Sequence, residues 1–234
     1  MASERAAIVT AAGGGIGAAV ARELAAAGFR LALMSRSQAV ETLATELDGV
    51  AVRGSVTEAA DLERLVRACL DRHGRIDAVV NHTGHPPKGA LLEIPDRDWH
   101  AGLDMLLLNV VRICRLVTPV MEAQGGGAIV NVSTFATFEP EPAYPVSASL
   151  RAALAGFTKL YADQYARAGI RMNNVLPGFI DSLPHTEQNR LRVPSQRIGT
   201  MQELARTIAF LLSDSAGYIT GQNIRVDGGL TRHV

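Results

Sequence analysis

Residues 10–17, Thr10-Ala11-Ala12-Gly13-Gly14-Gly15-Ile16-Gly17, follow an apolar run at residues 6–10 and open a helical pattern over residues 15–27 that Gly28 closes. Four glycines in five positions let the backbone turn tightly between strand and helix. They also leave the amides of the helix N-terminus open to a pyrophosphate. A glycine-rich turn can equally be a plain helix entry. Its position after the first strand of a βαβ unit gives it weight. The turn predicts a dinucleotide-binding fold, with Thr10, Gly13, Gly15, Ile16 and Gly17 at the phosphates.

The same alternation runs to the end of the chain. Apolar or β-branched stretches at residues 31–35, 50–53, 76–81, 128–133, 171–176 and 223–226 read as strands. Helical periods fall at residues 40–47, 58–73, 96–123, 145–168 and 201–213. Residues 76–81 are nearly all apolar, as in a strand covered on both faces. The pattern predicts an α/β chain with a Rossmann-type, doubly wound parallel sheet and helices on both faces, in three α/β/α layers. No repeat or linker interrupts it, so residues 1–234 read as one domain. Residues 179–199 form the longest irregular stretch and a candidate substrate loop.

Composition narrows the class. Lys+Arg and Asp+Glu each total 23 of 234 residues, so no global field points to nucleic acid or to an anionic membrane surface. With 47% hydrophobic and 20% charged residues the chain is globular. Cys69 and Cys114 lie in helical runs without a CxxC or histidine partner, which reads as buried thiols in a reducing cytoplasm. The N-terminus lacks the apolar core of a signal peptide, and no apolar run reaches membrane-spanning length. No histidine has metal-ligand spacing with a carboxylate or cysteine, so no metal is expected.

Several motifs in order resemble the short-chain dehydrogenase/reductase family along the whole chain. Residues 10–17 are similar to its TGxxxGxG turn, with Ala11 at the first glycine. Asn81-His82-Thr83-Gly84 resembles the NNAG strand end beside the adenosine. Asn109, in LLLNVV, stands where the family has its active-site asparagine. Residues 128–134, AIVNVST, look like the strand that leads to the catalytic serine, with Ser133 and Thr134 at its end. Pro177-Gly178 matches the turn near the nicotinamide, with Ile180 just beyond, and GQNIRVDGG at residues 221–229 is similar to the C-terminal signature. The resemblance implies a nicotinamide cofactor and a small-molecule substrate. It also implies a homodimer or homotetramer formed by the helices at residues 96–123 and 145–168.

The second strand ends at Ser35-Arg36. An acidic residue there would bind the ribose hydroxyls of NAD and repel a 2′-phosphate. Ser35 does not repel it, and Arg36 offers a planar, permanent cation, unless it is simply a solvated surface arginine. Gly14 occupies a position where relatives that prefer NADP often add a second basic residue. Ser55, followed by Val56, replaces an acidic residue that often meets the adenine. NADP(H) is favoured over NAD(H).

The family's catalytic helix reads YxxxK followed by GF[ST]K. Gly156-Phe157-Thr158-Lys159 fixes that end, and counting back puts Ser147 at the tyrosine, Arg151 at the lysine and Thr134 at the serine. A rival register takes Tyr144 as the acid, but leaves Ala148 at the lysine and needs a three-residue shift. In the family the tyrosine moves the proton that accompanies hydride transfer. A phenol with a reference pKa of roughly 10 does this far better than an alkyl hydroxyl. Arg151 keeps the charge and can hold ribose hydroxyls, though its fork does not copy an ammonium. Histidine as a residue type titrates near neutrality, so His85 suits the acid's role, unless it is a plain loop histidine. His185 and Tyr144 are further candidates, while Glu139 and Glu141 read as solvent-facing. Three functions follow: an NADP(H)-dependent oxidoreductase with an altered proton relay, a cofactor-binding protein without redox activity, and a non-redox lyase or isomerase.

Overall fold

The run at residues 6–10 forms β1 (Ala6–Val9), buried along its whole length in the computed structural model, which describes residues 5–233. It is the third strand of a seven-stranded sheet. The others are β2 (Arg30–Ser35), β3 (Val50–Arg53), β4 (Ala78–Asn81), β5 (Gly127–Val132), β6 (Ile170–Pro177) and β7 (Asn223–Val226). The order is β3-β2-β1-β4-β5-β6-β7, and every pairing is parallel. The chain thus winds outward from β1 in one direction, then from β4 in the other. The loops after β1 and β4 diverge and open a crevice at the carboxyl ends of the strands.

The helices are α1 (Gly15–Ala26), α2 (Ala39–Glu46), α3 (Ala59–His73), α4 (Asp96–Leu103), α5 (Asn109–Ala123), α6 (Pro145–Tyr165), α7 (Glu187–Arg192) and α8 (Met201–Leu212). The two-residue period of β1 sorts them into layers. Ala7 and Val9 pack with Val20 and Leu24 of α1, Val40 of α2 and Ile208 of α8. Ala6 and Ile8 pack with Leu65 of α3, Ile113 of α5 and Leu154 of α6. Fully burying one such aliphatic side chain stabilises by roughly 1.5–3 kcal/mol. The sheet is therefore covered on both faces, as its nearly unbroken apolar strands require.

Two expectations change. The helix expected over residues 96–123 is split: a π-helical turn, Asp104–Leu108, separates α4 from α5. The extra residue per turn shifts the phase of the helix just ahead of Asn109, a device common at functional sites. The stretch at residues 179–199 is not irregular throughout, because α7 lies within it. Thr186 caps α7 by accepting from the Asn189 amide at 3.2 Å, and Ile180 pairs with Gly199 as an isolated bridge.

One polar feature runs through the interior. Asn81, Asn131, Asn174 and Asn223 are in register across β4, β5, β6 and β7. Asn81 Nδ2 donates to Asn131 Oδ1 at 2.8 Å, Asn131 Nδ2 to Asn174 Oδ1 at 2.9 Å, and Asn174 Nδ2 to Asn223 Oδ1 at 2.8 Å. Thr158 of α6 accepts from Asn131 at 3.2 Å and donates to Asn174 at 2.9 Å. A satisfied buried network of this kind fixes strand register and anchors α6.

Candidate active site

The carboxyl ends of the strands frame two cavities that meet at Thr83 and Gly84. The glycine turn lies beside both. A Cβ on Gly13 would sit 2.5 Å from Ser37 Oγ and 2.6 Å from Ser35 Oγ, and one on Gly17 would sit 2.3 Å from the Ala11 carbonyl oxygen. These glycines let the turn close onto β2 and onto itself. Thr10 is buried: its Oγ1 donates to the His82 carbonyl at 2.7 Å and accepts from the His82 amide at 2.9 Å. It ties β1 to β4 and does not line either cavity. Gly15 is exposed, and Ile16 lines the second cavity.

Ala11 adopts φ +50°, the left-handed region that a Cβ disfavours. Ala11→Gly is expected to raise stability by about 0.5–1 kcal/mol, the strain relieved less the extra unfolded-state entropy of glycine. For a chain of this length that is about 2 °C in Tm by calorimetry. A lower Tm would mean that the alanine methyl makes up in packing what its backbone loses.

The first cavity, about 200 Å³, is lined by Ser35, Arg36, Ser55, Val56 and Thr57 among others, with no acidic residue. Arg36 is exposed and has no ion-pair partner among the described residues. The Ser55 amide donates to Asp61 Oδ2 at 2.8 Å, and its hydroxyl meets Thr57 Oγ1 at 2.8 Å. That amide, and then Arg64, hold the Asp61 carboxyl below its usual range. Gly14, with φ 174°, is exposed, and a Cβ there would meet nothing within 4 Å.

The second cavity, about 170 Å³, brings together Ser133, Thr134, Tyr144, Ser147 and Arg151 with His85, Pro177, Gly178, Ile180 and His185. Ser147 and Arg151 are one turn apart on α6, and Tyr144 is its N-cap residue. Ser133 Oγ pairs with Thr137 Oγ1 at 3.0 Å, and Thr134 Oγ1 accepts from the Ala136 amide at 3.4 Å, starting a 3₁₀ turn. Arg151 is buried, its Nη1 donating to the Val132 carbonyl at 2.5 Å while Nε has no partner. Burial without a carboxylate lowers its pKa to about 10. His85 is lowered by burial, then by Lys88 and Arg151. His185 Nε2 donates to the Ile180 carbonyl at 2.7 Å.

Some candidates lie apart from the cavities. Asn109 is buried behind them, its Oδ1 without a partner, and Asn81 is held in the asparagine ladder. His82 escaped the sequence reading although it sits inside the NHTG motif. It lines the second cavity with an unpartnered Nδ1 and is held near pKa 4 by burial, then by Arg151 and His85. Tyr161, on α6, does not line this cavity: its hydroxyl meets Thr118 Oγ1 at 2.6 Å, and burial pushes its pKa up.

Glu139 and Glu141 are partly exposed, with side chains 32% and 22% exposed, and both carry partners. Glu139 accepts from the His233 amide and ring, each at 2.8 Å, and those bonds lower its pKa to about 2. Glu141 pairs with Arg192 of α7. Together they fasten the C-terminal segment and α7 to the loop after β5. No helix among the described residues is long and apolar enough to cross a membrane, and none of their His, Cys, Asp or Glu side chains cluster as a metal site. Cys69 and Cys114 are buried free thiols, with pKa values raised by burial.

The arrangement fits an elongated dinucleotide. The two cavities share Thr83 and Gly84 in their walls, a Cβ on Gly84 would meet nothing within 4 Å, and a glycine turn stands beside them. Buried Arg151 Nε and Asn109 Oδ1 are left without protein partners. Comparison with known proteins agrees. A family model described as enoyl-(acyl carrier protein) reductase matches residues 10–231. A 3-oxoacyl-[acyl-carrier-protein] reductase from Synechocystis is 34% identical over 96% of both chains. Among solved structures, L-sorbose reductase from Gluconobacter frateurii, complexed with NADPH and L-sorbose, superposes with a TM-score of 0.91 at 25% identity, covering 99% of this chain and 98% of that one. A 7α-hydroxysteroid dehydrogenase complexed with NADH and 7-oxo glycochenodeoxycholic acid gives 0.90 at 28%, covering 96% and 93%. The chain belongs to the short-chain dehydrogenase/reductase family of oxidoreductases.

Proposed function

We propose that the chain is an NADP(H)-dependent oxidoreductase that interconverts a carbonyl and an alcohol through an altered proton relay. The observation that carries this is the pairing of Ser147 with Arg151, one helical turn apart, in the cavity shared by Thr134, Pro177 and Gly178. In the family register these two residues replace the tyrosine and lysine. The cofactor, when bound, supplies or accepts the hydride.

The chain's own groups have separable tasks in this reading. Gly13, Gly15, Ile16 and Gly17 form the phosphate turn, with Thr10 bracing it. Ser35 and Arg36 take the 2′-phosphate side, Ser55 and Val56 the adenine, and Gly84 the adenosine wall, with Asn81 bracing the strand that ends there. Pro177, Gly178 and Ile180 border the nicotinamide. Thr134 and Ser147 hydrogen-bond the substrate oxygen, with Ser133 held behind them by Thr137. Arg151 holds ribose hydroxyls, while Asn109, buried outside both cavity linings, acts as a positioning residue. Ser147 is too weak an acid to act alone, so Tyr144 provides the proton, or His85 at a pH low enough to protonate it against its lowered pKa. Lys88 Nζ lies 5.2 Å from the Tyr144 ring centroid, a cation–π contact that helps hold the ring in place.

Steady-state turnover of NADPH with a panel of ketones, and of NADP⁺ with alcohols, tests the reading. Tight cofactor binding with every turnover at background would leave a binding protein, not an oxidoreductase. Cofactor choice has its own test. Arg36→Ala is expected to weaken NADPH binding about tenfold or more, the value of one charge-assisted contact, with NADH binding unchanged. Equal losses for both cofactors in a fluorescence titration would count against Arg36 as the phosphate partner.

We further propose that the chain works as one domain in a reducing cytoplasm, as a homodimer or homotetramer. Support for association comes from the groove between α5 and α6, where Val111, Phe157 and Tyr165 adjoin Leu160, 71% exposed. Sedimentation velocity of the purified chain reads the assembly, and a monomer throughout the micromolar range would refute it.

A further inference from the structure

The cavity around Arg151 holds a buried guanidinium and no anion. Arg151 is 8% exposed, and only one of its N–H groups is used, on the Val132 carbonyl. The Nε–Nη2 edge is left without a partner. A buried guanidinium is normally met by a carboxylate, because an uncompensated charge in a low-dielectric site is costly. None of the residues lining this cavity is acidic; its other titratable groups are His82, His85, His185 and Tyr144. Acids on adjoining loops are committed elsewhere: Glu139 to His233, Glu141 to Arg192, and Asp181 to the Met201 amide at 2.8 Å. His82 Nδ1 is a second buried, unpartnered polar atom in the same cavity.

Ribose hydroxyls would satisfy hydrogen bonds of Arg151 but bring no charge. The compensating anion therefore comes with the substrate. Around the guanidinium much of the wall is apolar, with Pro86, Val132, Phe135, Phe179 and Leu183. Phe135 and Phe179 stand edge to face, 5.5 Å between centroids.

We propose that the substrate of this site is a small oxo-carboxylate. Its carboxylate lies on the free edge of Arg151, beside His82, and its apolar chain lies against Phe135, Phe179 and Leu183. The planar edge of a guanidinium matches a carboxylate with two parallel hydrogen bonds. Reduction would add one hydride from NADPH to the carbonyl carbon and one proton to its oxygen. The product is a hydroxy-carboxylate, with NADP⁺ released and the carboxylate unchanged. This assignment rests on the reductase reading above and adds the substrate class.

The test uses the whole chain with NADPH bound, and isothermal titration with 2-oxohexanoate, 2-hexanone and methyl 2-oxohexanoate. The ketone replaces the carboxylate by methyl, and the ester removes only its charge. The expected result is 2-oxohexanoate binding about 30-fold more tightly than either neutral ligand, the scale of one bidentate charged contact. Arg151→Met should abolish the difference and Arg151→Lys retain part of it. Equal affinities in the wild-type protein overturn the proposal, whatever the folding of the variants. So does a preference that survives Arg151→Met, or inorganic phosphate binding as tightly as 2-oxohexanoate. NADPH binding measured alongside separates the two ideas. Bound cofactor with no carboxylate preference defeats only the substrate class, and failure to bind cofactor defeats the reductase reading itself.

Discussion

Ser147→Tyr combined with Arg151→Lys is expected to raise NADPH-dependent reduction of neutral ketones by roughly 10²–10⁴-fold over the wild-type chain, the usual value of a positioned general acid. The wild-type helix presents a hydroxyl that is both too short and too weakly acidic. A tyrosine at 147 extends the donor by a ring and brings a proton whose pKa a neighbouring ammonium can lower toward neutrality. Ser147 is only partly buried and already lines the cavity, so the ring has an open direction in which to grow. The lysine must come with it. Arg151 is pinned to the Val132 carbonyl, and its delocalised charge does not act on a phenol as a point cation does. Each single variant should therefore recover little, and the gain should be strongly non-additive. If the substrate is an oxo-carboxylate, the same pair of changes moves preference toward neutral ketones, because Arg151→Lys removes the bidentate edge. A folded, NADPH-binding double variant no faster than wild type would refute the register that puts Ser147 at the tyrosine. Activity in the wild type alone would then point to a relay through Tyr144 or His85.

The parts of the fold that depend on local pattern were legible in the sequence. β3 and β7 lie where the apolar stretches put them, and the helix of residues 145–168 is α6 followed by a short 3₁₀ turn closed by Gly169. The parallel sheet covered on both faces followed from alternation, since parallel strands need crossovers. Features that depend on partners far along the chain were not legible. Glu139 and Glu141 flank a proline and look solvated, yet their partners lie 94 and 51 residues away in His233 and Arg192. The π turn before Asn109 leaves no mark in an apolar run that reads as helix either way. α7 did carry a signal, Thr186 followed by Glu187 in the first turn and Arg190 and Arg192 in the last, but a six-residue helix is too short for periodicity to reveal. His82 was hidden for a different reason: it stands inside a strand-end motif that accounts for its position, and nothing in the residue pattern marks its side chain as lining a cavity. The strain at Ala11 could not be seen at all, because a missing glycine states a residue type and not a dihedral angle.

Asn131→Ala is expected to destabilise the chain by about 3–5 kcal/mol, lowering Tm by about 10 °C. Asn131 is fully buried and touches three side chains, accepting from Asn81 and donating to Thr158 and Asn174. Truncation leaves the buried Asn81 amide without its partner and deprives Asn174 of one of its two donors. Each unsatisfied group costs about 1–3 kcal/mol, and the cavity left behind adds to that. Asn131→Leu should do no better, although it fills the space, because the cost lies in partners that remain. Removing Asn81 as well, with Asn81→Ala in the Asn131→Leu background, should then cost less than the sum of the single changes. Asn223→Ala, at the partly exposed end of the ladder, should cost about 1 kcal/mol. Urea unfolding is the measurement, with the midpoint falling and the slope unchanged. The consequence for function follows from where the ladder sits. Asn81 precedes His82, Asn131 is two residues from Ser133, and Asn174 is three from Pro177, so the network holds in register the strand ends that carry the cavity wall. At a temperature where Asn131→Ala is still folded, NADPH should bind more weakly as well. A variant that unfolds like wild type would show that apolar packing alone aligns β4, β5 and β6, and that the asparagines are tolerated there without being needed.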